Sequence, residues 1–389
     1  MRKNIVSIQT ALQKKQFWIA VIVFGILLKI ALLPVVKNEH DFVNFLLPWV
    51  NFIKANGYFE AMKYPFYNYT PTYIYLLVLI AKIGINPVIG IKIVSILFEY
   101  LMAFFVGKIV QLKYPSRLTM LATLAIVPLI PTVLMNASYW HQCDAVYSAF
   151  AIGSIFFLLN KRSLLSIVFL GIAFAFKMQT AMLLPFFFVA LLRGEVKWYY
   201  FLAVPAVYFL AILPTWFAGR PWADLLGIYL AQADTTHKLT LNFPNFYTWF
   251  TTPNLSVDDT LYPILMPVGI FVTVCVTIVC GILLSRKIIR FDLETWVRLA
   301  FLSAIVVPFL LPGMHERYMF LGDVLGVLYF LVLRRNIHLP LGIIFVSSYS
   351  YIRCSRLNEF MPMEPVFFIY LSVIVLAIID FKKSLVYAK

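Results

Sequence analysis

The sequence predicts an all-α polytopic membrane protein, with about 12 transmembrane helices in a range of roughly 11–13 and interfacial helices in the first outer loop. Three observations carry that expectation. Of 389 residues, 62% are hydrophobic and only 13% charged, against about 25% charged in a soluble domain. Apolar runs recur along the whole chain, more than a soluble fold's surface-to-volume ratio lets it bury. Lys and Arg collect in alternate loops, which is how cytoplasmic segments are marked.

The first apolar run, 17–36, leads into bulky polar sequence with no small-residue cleavage site, so it reads as an uncleaved first helix. Others follow at 71–85, 87–111, 118–136, 144–160, 163–176, 178–193, 198–217, 260–284, 295–311, 318–333, 338–353 and 364–381. The run 71–85 starts at Pro71 and is closed by Gly84 and Pro87. It is read as lying at the interface, or entering and leaving by one side. Both tails and the segments 108–117, 161–162, 193–197, 285–298 and 334–335 then share the cytoplasmic side. With Asp380 at the end of the last run counted in, they hold 20 of the 32 Lys and Arg but four of the 17 acids, whereas the outer segments hold nine Lys and Arg and eleven acids. If 71–85 crossed, that bias would invert. The net charge of +15 therefore reads as loop asymmetry, and no nucleic-acid partner is expected. Lys29, Lys92, Glu99 and Asp323 fall inside apolar runs, where Glu99 paired with one of the lysines is the structural reading. Four cysteines show no zinc or redox spacing.

Two outer loops are long, 37–70 and 219–259. In 41–57 the apolar Phe42, Phe45, Leu46, Trp49, Val50 and Phe52 recur at helical spacing, as in an amphipathic helix lying in the interface.

Nearly all reactive groups gather on the assigned outer side. Asp41 follows the first helix; His141, Gln142 and Asp144 lie in the turn Trp140–Asp144; Lys177 and Gln179 occupy the next outer turn; His237 lies in the second long loop; His315, Glu316, Arg317 and Tyr318 cap another helix pair. Taken singly, Asp41 or Asp144 can be a helix N-cap, Lys177 can snorkel to headgroups and His237 can be merely solvated. Two cations and a carboxylate within His315–Tyr318, between apolar helices, are costly unless a cavity or ligand receives them. Carboxylates at one membrane face can take a proton from a hydroxyl acceptor. Lys177, His315 and Arg317 can hold an anionic leaving group. That combination suits a transferase with a phosphate-ester donor. No Gly-rich phosphate loop is present, which argues against a soluble nucleotide donor.

On Asp41, the stretch Tyr64-Pro65 to Tyr69-Thr70-Pro71, Trp140-His141-Gln142-Cys143-Asp144 with Phe176-Lys177-Met178-Gln179, and His315-Glu316-Arg317-Tyr318, the chain resembles GT-C superfamily glycosyltransferases. It is most similar to bacterial proteins related to the second mannosyltransferase of GPI-anchor synthesis. The resemblance runs from about residue 17 to at least residue 330. It implies a single GT-C-like transmembrane domain, 1–389. A conserved-type catalytic module would occupy 1–217 and a variable module 218–389. It further implies an inverting hexosyltransfer, of mannose or glucose class, from a polyprenyl-phosphate donor to a glycan, lipid or protein acceptor. Carried over, Asp41 would be the general base, and His315, Arg317, Lys177 and Tyr318 would bind the donor phosphate. His141, Gln142, Asp144, Gln179, His237 and Glu316 would line the acceptor or sugar site. Some superfamily members use a divalent metal; Asp41 and Asp144 alone do not define such a site.

The rival readings are a secondary transporter or lipid flippase, which usually shows inverted repeats and midplane ionisable groups, and an O-antigen polymerase or ligase. Three sequons, at Asn68, Asn136 and Asn254, all fall on the outer side. A glycan on Asn136 would obstruct the proposed site, which points to a bacterial cytoplasmic membrane with both termini inside.

Overall fold

The computed structural model describes residues 2–35, 41–233, 237–250, 258–286, 289–355 and 361–387. Helices take up most of them: α1 (Arg2–Leu32), α2 (Leu47–Ala55), α3 (Pro71–Ile83), α4 (Pro87–Gln111), α5 (Arg117–Ile126), α6 (Pro131–Leu134), α7 (Asp144–Leu159), α8 (Ser163–Phe176), α9 (Leu184–Leu192), α10 (Ala203–Phe217), α11 (Trp222–Ala233), α12 (Asp258–Ser285), α13 (Leu293–Leu310), α14 (Phe320–Leu333), α15 (His338–Cys354) and α16 (Met363–Ser384). Four two-residue strands are β1 (Thr240–Leu241), β2 (Ile289–Arg290), β3 (Met314–His315) and β4 (Val386–Tyr387).

Each of the thirteen apolar runs carries helix, and six helices among the described residues are long and apolar enough to cross a bilayer: Gln13–Leu32, Pro87–Gln111, Trp198–Phe217, Leu261–Ser285, Leu293–Leu310 and Met363–Ser384. Long lipid-facing helices satisfy every backbone group internally, which the bilayer requires. The protein is thus an all-α membrane protein.

Several other runs are shorter than a span of about 20 residues. α3 has 13 residues, α7 16, α8 14 and α14 14. Their ends explain their length. α7 begins at Asp144, α8 stops just before Lys177, and α14 begins three residues after Arg317, so all three are cut off where buried polar groups meet.

The run 118–136, expected as one piece, is broken. Its halves Arg117–Leu129 and Pro131–Tyr139 meet at 60°. Pro131 lacks an N–H to continue the first half and is preorganised to open the second. The run 178–193 likewise opens with a 3₁₀ turn, Met178–Leu183, before α9.

One large core joins α4, α7 and α8 to α13 through α16. Small residues set the closest helix approaches, as bilayer packing favours: a Cβ at Gly171 of α8 would lie 3.2 Å from the Val204 backbone of α10. A second core carries the first long loop. Phe42, Leu46, Trp49, Val50 and Ile53 are buried against α3 and neighbouring residues. The expected helix over 41–57 therefore forms, and its apolar stripe covers protein.

Inside the bundle, Lys29 Nζ lies 2.6 Å from Glu99. Lys92 instead donates to the carbonyls of Leu32 and Val35 at 2.9 and 2.6 Å, closing the C-terminal end of α1.

The segments assigned to one side by charge meet at one end of the bundle. Arg298 and Tyr329 both reach Asp380 at 2.7 Å. Lys113 pairs with Glu294, Lys161 with Glu195, and β2 pairs with β4. The second long loop is stitched to the other end. It carries α11, and β1 runs parallel beside β3, with Leu241 opposite His315.

Candidate functional site

Helix ends position the central ion pair. Asp144 opens α7, where unpaired N–H groups and the helix dipole favour a carboxylate. Lys177 follows the last residue of α8, where the dipole favours a cation. The two side chains bond to each other, both buried. Asp144 Oδ2 also accepts from Asn136 Nδ2 at 2.7 Å, and Asn136 Nδ2 reaches the Tyr351 hydroxyl at 2.9 Å. Asn136 is held there by the irregular turn Met135–Tyr139 that ends the broken run. Lys177 Nζ stands 5.7 Å over the Tyr69 ring.

Arg317 comes in from the turn between β3 and α14 and meets three carboxylates. Nη1 is 2.9 Å from Asp41 Oδ2 and 3.3 Å from Glu316 Oε1, and Nε is 3.8 Å from Asp144 Oδ2. Gln142 Nε2 donates to the same Asp41 oxygen at 2.9 Å. The Gln142 backbone is tied to α4 by Ser95 at 2.8 Å. Four chain segments, remote in sequence, thus converge through Asp41, Gln142–Asp144, Lys177 and Glu316–Arg317.

Electrostatics follow from that geometry. Burial would raise Asp41, but Arg317, the Gln142 hydrogen bond and Lys177 outweigh it and hold the carboxyl at about 2. Burial and the Arg317 charge pull His315 down to about 3, so its imidazole is neutral near pH 7. Burial raises Glu316 despite Arg317.

Lys177, His315 and Arg317, the residues expected to hold an anion, lie in this cluster. Lys177 and Arg317 are already partnered by carboxylates, and His315 offers a neutral ring. Arg317 Nε makes no hydrogen bond, so the guanidinium keeps a donor beyond the Nη1 that meets Asp41 and Glu316.

Of the remaining expected residues, Tyr318 packs on His315 with ring centroids 4.9 Å apart. Gln179 lies in the 3₁₀ turn beyond Lys177, its Oε1 buried without a hydrogen-bond partner. His141 is fully buried, stacked on Phe42 at 4.4 Å, in the left-handed region at φ 56°, and neither ring nitrogen has a partner. Burial, then Lys92, lowers it to about 4. His237 is not brought to the cluster: it is exposed and meets Tyr262 edge-on at 5.3 Å. Asp234, in the same loop, lies outside the described residues.

Asn136 and Tyr351 are additions. Asn136 stood out in the sequence only as a sequon, and nothing there singles out Tyr351. Among the described residues no three His, Cys, Asp or Glu are grouped to hold a metal. The acids that would have to do so are turned to Arg317 and Lys177, a donor set that does not fit a divalent cation.

No protein-family model matches the chain, and no curated protein matches it.

Proposed function

We propose that this protein is a GT-C-type inverting glycosyltransferase that moves a hexose from a polyprenyl-phosphate donor to a glycan, lipid or protein acceptor. The observation that carries the reading is the meeting of half-buried Asp41 with Arg317, beside the buried Lys177–Asp144 pair. Asp41 takes the acceptor hydroxyl proton, and the hydroxyl oxygen attacks the anomeric carbon. The bond from that carbon to the phosphate oxygen breaks with inversion, and its electron pair leaves on the phosphate. Arg317 receives the phosphate through charge-assisted bonds, with Lys177 adding positive charge and His315 a neutral N–H. Preorganised donors of this kind are worth on the order of 10²–10³ in rate each.

Arg317 cannot hold Asp41 and the phosphate equally. Donor binding draws the guanidinium away, and Asp41, freed of its strongest partner, becomes a better base. The resting cluster is therefore the unloaded state of an exchange.

Twelve crossings with both termini cytoplasmic, and the site on the outer face of a bacterial cytoplasmic membrane, complete the proposal. Its support is the charge count together with the gathering of the basic segments at the end opposite Arg317. The test is purified protein in liposomes, offered a panel of polyprenyl-phosphate sugars, with anomeric configuration read by NMR. Transfer with inversion is the expected result. Transport of a solute with no transfer from any donor would overturn the reading in favour of a secondary transporter, for which buried Asp323, bonded to Thr132 at 2.6 Å, is the candidate carboxylate.

A further inference from the structure

A second buried cation lies outside the cluster. Arg220, at the start of the second long loop, is 4% exposed. Its guanidinium stacks 4.4 Å over the Tyr67 ring. Its nearest acid is the half-exposed Asp224, 3.7 Å from Nε and beyond hydrogen-bond reach. Nε and Nη1 are buried and make no hydrogen bond of ordinary geometry; the Tyr67 hydroxyl, which also neighbours Thr215, comes close enough to the guanidinium to interact with it. Burying a guanidinium this way is costly unless a partner completes it.

Its surroundings indicate what that partner is. α11, of 12 residues, begins at Trp222, so its unpaired N–H groups and positive dipole end face back toward Arg220. Exposed Lys63 of the first long loop is rooted at the same place: a Cβ on Gly219 would lie 3.7 Å from Lys63 Cβ, while its ammonium rests 4.9 Å over the Tyr64 ring, from which the long side chain can swing to an anion. Arg220, Lys63 and a helix N-terminus are a set for an anion.

Around them the surface is apolar and aromatic. Phe217 is 74%, Leu226 60% and Leu230 78% exposed. Trp216 and Trp222 stack at 4.8 Å, and Phe209 stacks on Trp222 at 5.3 Å. Bulky aromatic side chains beside exposed aliphatics form the belt that meets bilayer headgroups, where an anion arrives attached to a lipid tail.

We propose that Arg220, Lys63 and the first turn of α11 form a second phosphate site, separate from Arg317, that binds the phosphate of a membrane-borne amphiphile. The extended stretch before α3 separates the two sites, with Tyr69 against Lys177 and Tyr67 against Arg220. The proposal stands on these contacts and does not depend on sugar transfer. A bilayer phospholipid and a polyprenyl phosphate present the same chemistry.

The experiment places wild type, Arg220→Gln, Arg220→Lys and Lys63→Gln in phosphatidylcholine nanodiscs doped with either phosphatidylglycerol or polyprenyl phosphate. Retained lipid is read by native mass spectrometry, with Arg317 intact throughout. Arg220→Gln should lower retention about tenfold, the size of one lost charge-assisted hydrogen bond, and Arg220→Lys less. Loss confined to phosphatidylglycerol assigns the site to bulk phospholipid, and loss confined to polyprenyl phosphate to the carrier; either supports it. Wild-type retention of both lipids by folded Arg220→Gln overturns it. Should that variant not fold, unchanged retention in both Arg220→Lys and Lys63→Gln overturns it equally.

Discussion

Arg317 Nη1 lies 2.9 Å from Asp41 Oδ2, so the base and the phosphate holder of the proposed reaction are bonded to each other at rest. A carboxylate in that state is a poor base, held at about 2. A phosphate drawn to the same guanidinium competes with that bond. Loading a donor thus changes both groups at once, which gives Asp41 variants two opposed readouts.

Asp41→Asn keeps the shape and removes the charge. Sugar transfer should fall by at least about 10²-fold, the scale of a lost general base. Affinity for polyprenyl phosphate should rise, because Arg317 no longer has to leave a carboxylate. Single-turnover transfer and lipid binding on the same preparation check both. Transfer at the wild-type rate would remove Asp41 from the role of base, and weaker lipid binding would remove the exchange.

How much of this was legible in the sequence varies by element. The helix carrying Phe42, Leu46, Trp49 and Val50 was readable because its apolar period is local. The break at Ile130–Pro131 was not, because hydrophobicity alone makes 118–136 look continuous. The polar turns announced themselves singly, since ionisable groups at apolar helix ends are costly. Their pairing stayed hidden: Asp41 meets Arg317, and Asp144 meets Lys177, only through the packing of distant helices. The sequence therefore showed which cations face one side, but not that Lys177 and Arg317 meet carboxylates. Tyr351 was invisible because a tyrosine late in an apolar helix is ordinary until Asn136 is placed beside it.

Acid should loosen the fold through the buried histidines. His315 and His141 sit at about 3 and about 4, below the ordinary 6.5. Both are neutral in the folded protein near neutral pH. The unfolded chain binds their protons as pH falls through about 6.5, so stability drops with pH from there down to the folded values. Asp41 adds its own loss only lower: its contribution is complete above 3.8 and disappears as pH falls toward about 2. The thermal unfolding midpoint in detergent should therefore fall on acidification from about pH 7 to about pH 4.5, and His315→Gln should flatten the slope. A midpoint constant across that window, or an unchanged slope in the variant, would contradict the buried neutral imidazoles.

The Lys177–Asp144 pair should behave as one unit. Removing either partner leaves a buried charge uncompensated, at about 3–5 kcal/mol, so Lys177→Met and Asp144→Asn should each lower the unfolding midpoint strongly. The double variant leaves neither charge and should lose much less than the sum of the two. A coupling of about 0.5–3 kcal/mol is the range for residues in one network. Strict additivity would mean the side chains do not share their charge in the folded protein.

His141 separates strain from chemistry. Its φ of 56° is a conformation glycine adopts freely and other residues at a cost of roughly 1–2 kcal/mol. Glycine and alanine both remove the ring and its stack on Phe42, so the backbone is the main difference between those variants. His141→Gly should accordingly unfold at a higher temperature than His141→Ala, by about 1 kcal/mol of stability. Under the proposed function one of the two unpartnered ring nitrogens, beside Gln142, hydrogen-bonds a sugar hydroxyl. Both variants should then raise KM for the donor sugar by about tenfold, one lost hydrogen bond, however well each folds. Equal thermal stability of the two would show that the loop relaxes without glycine. Wild-type KM in a folded His141→Gly would leave the imidazole as packing against Phe42 alone.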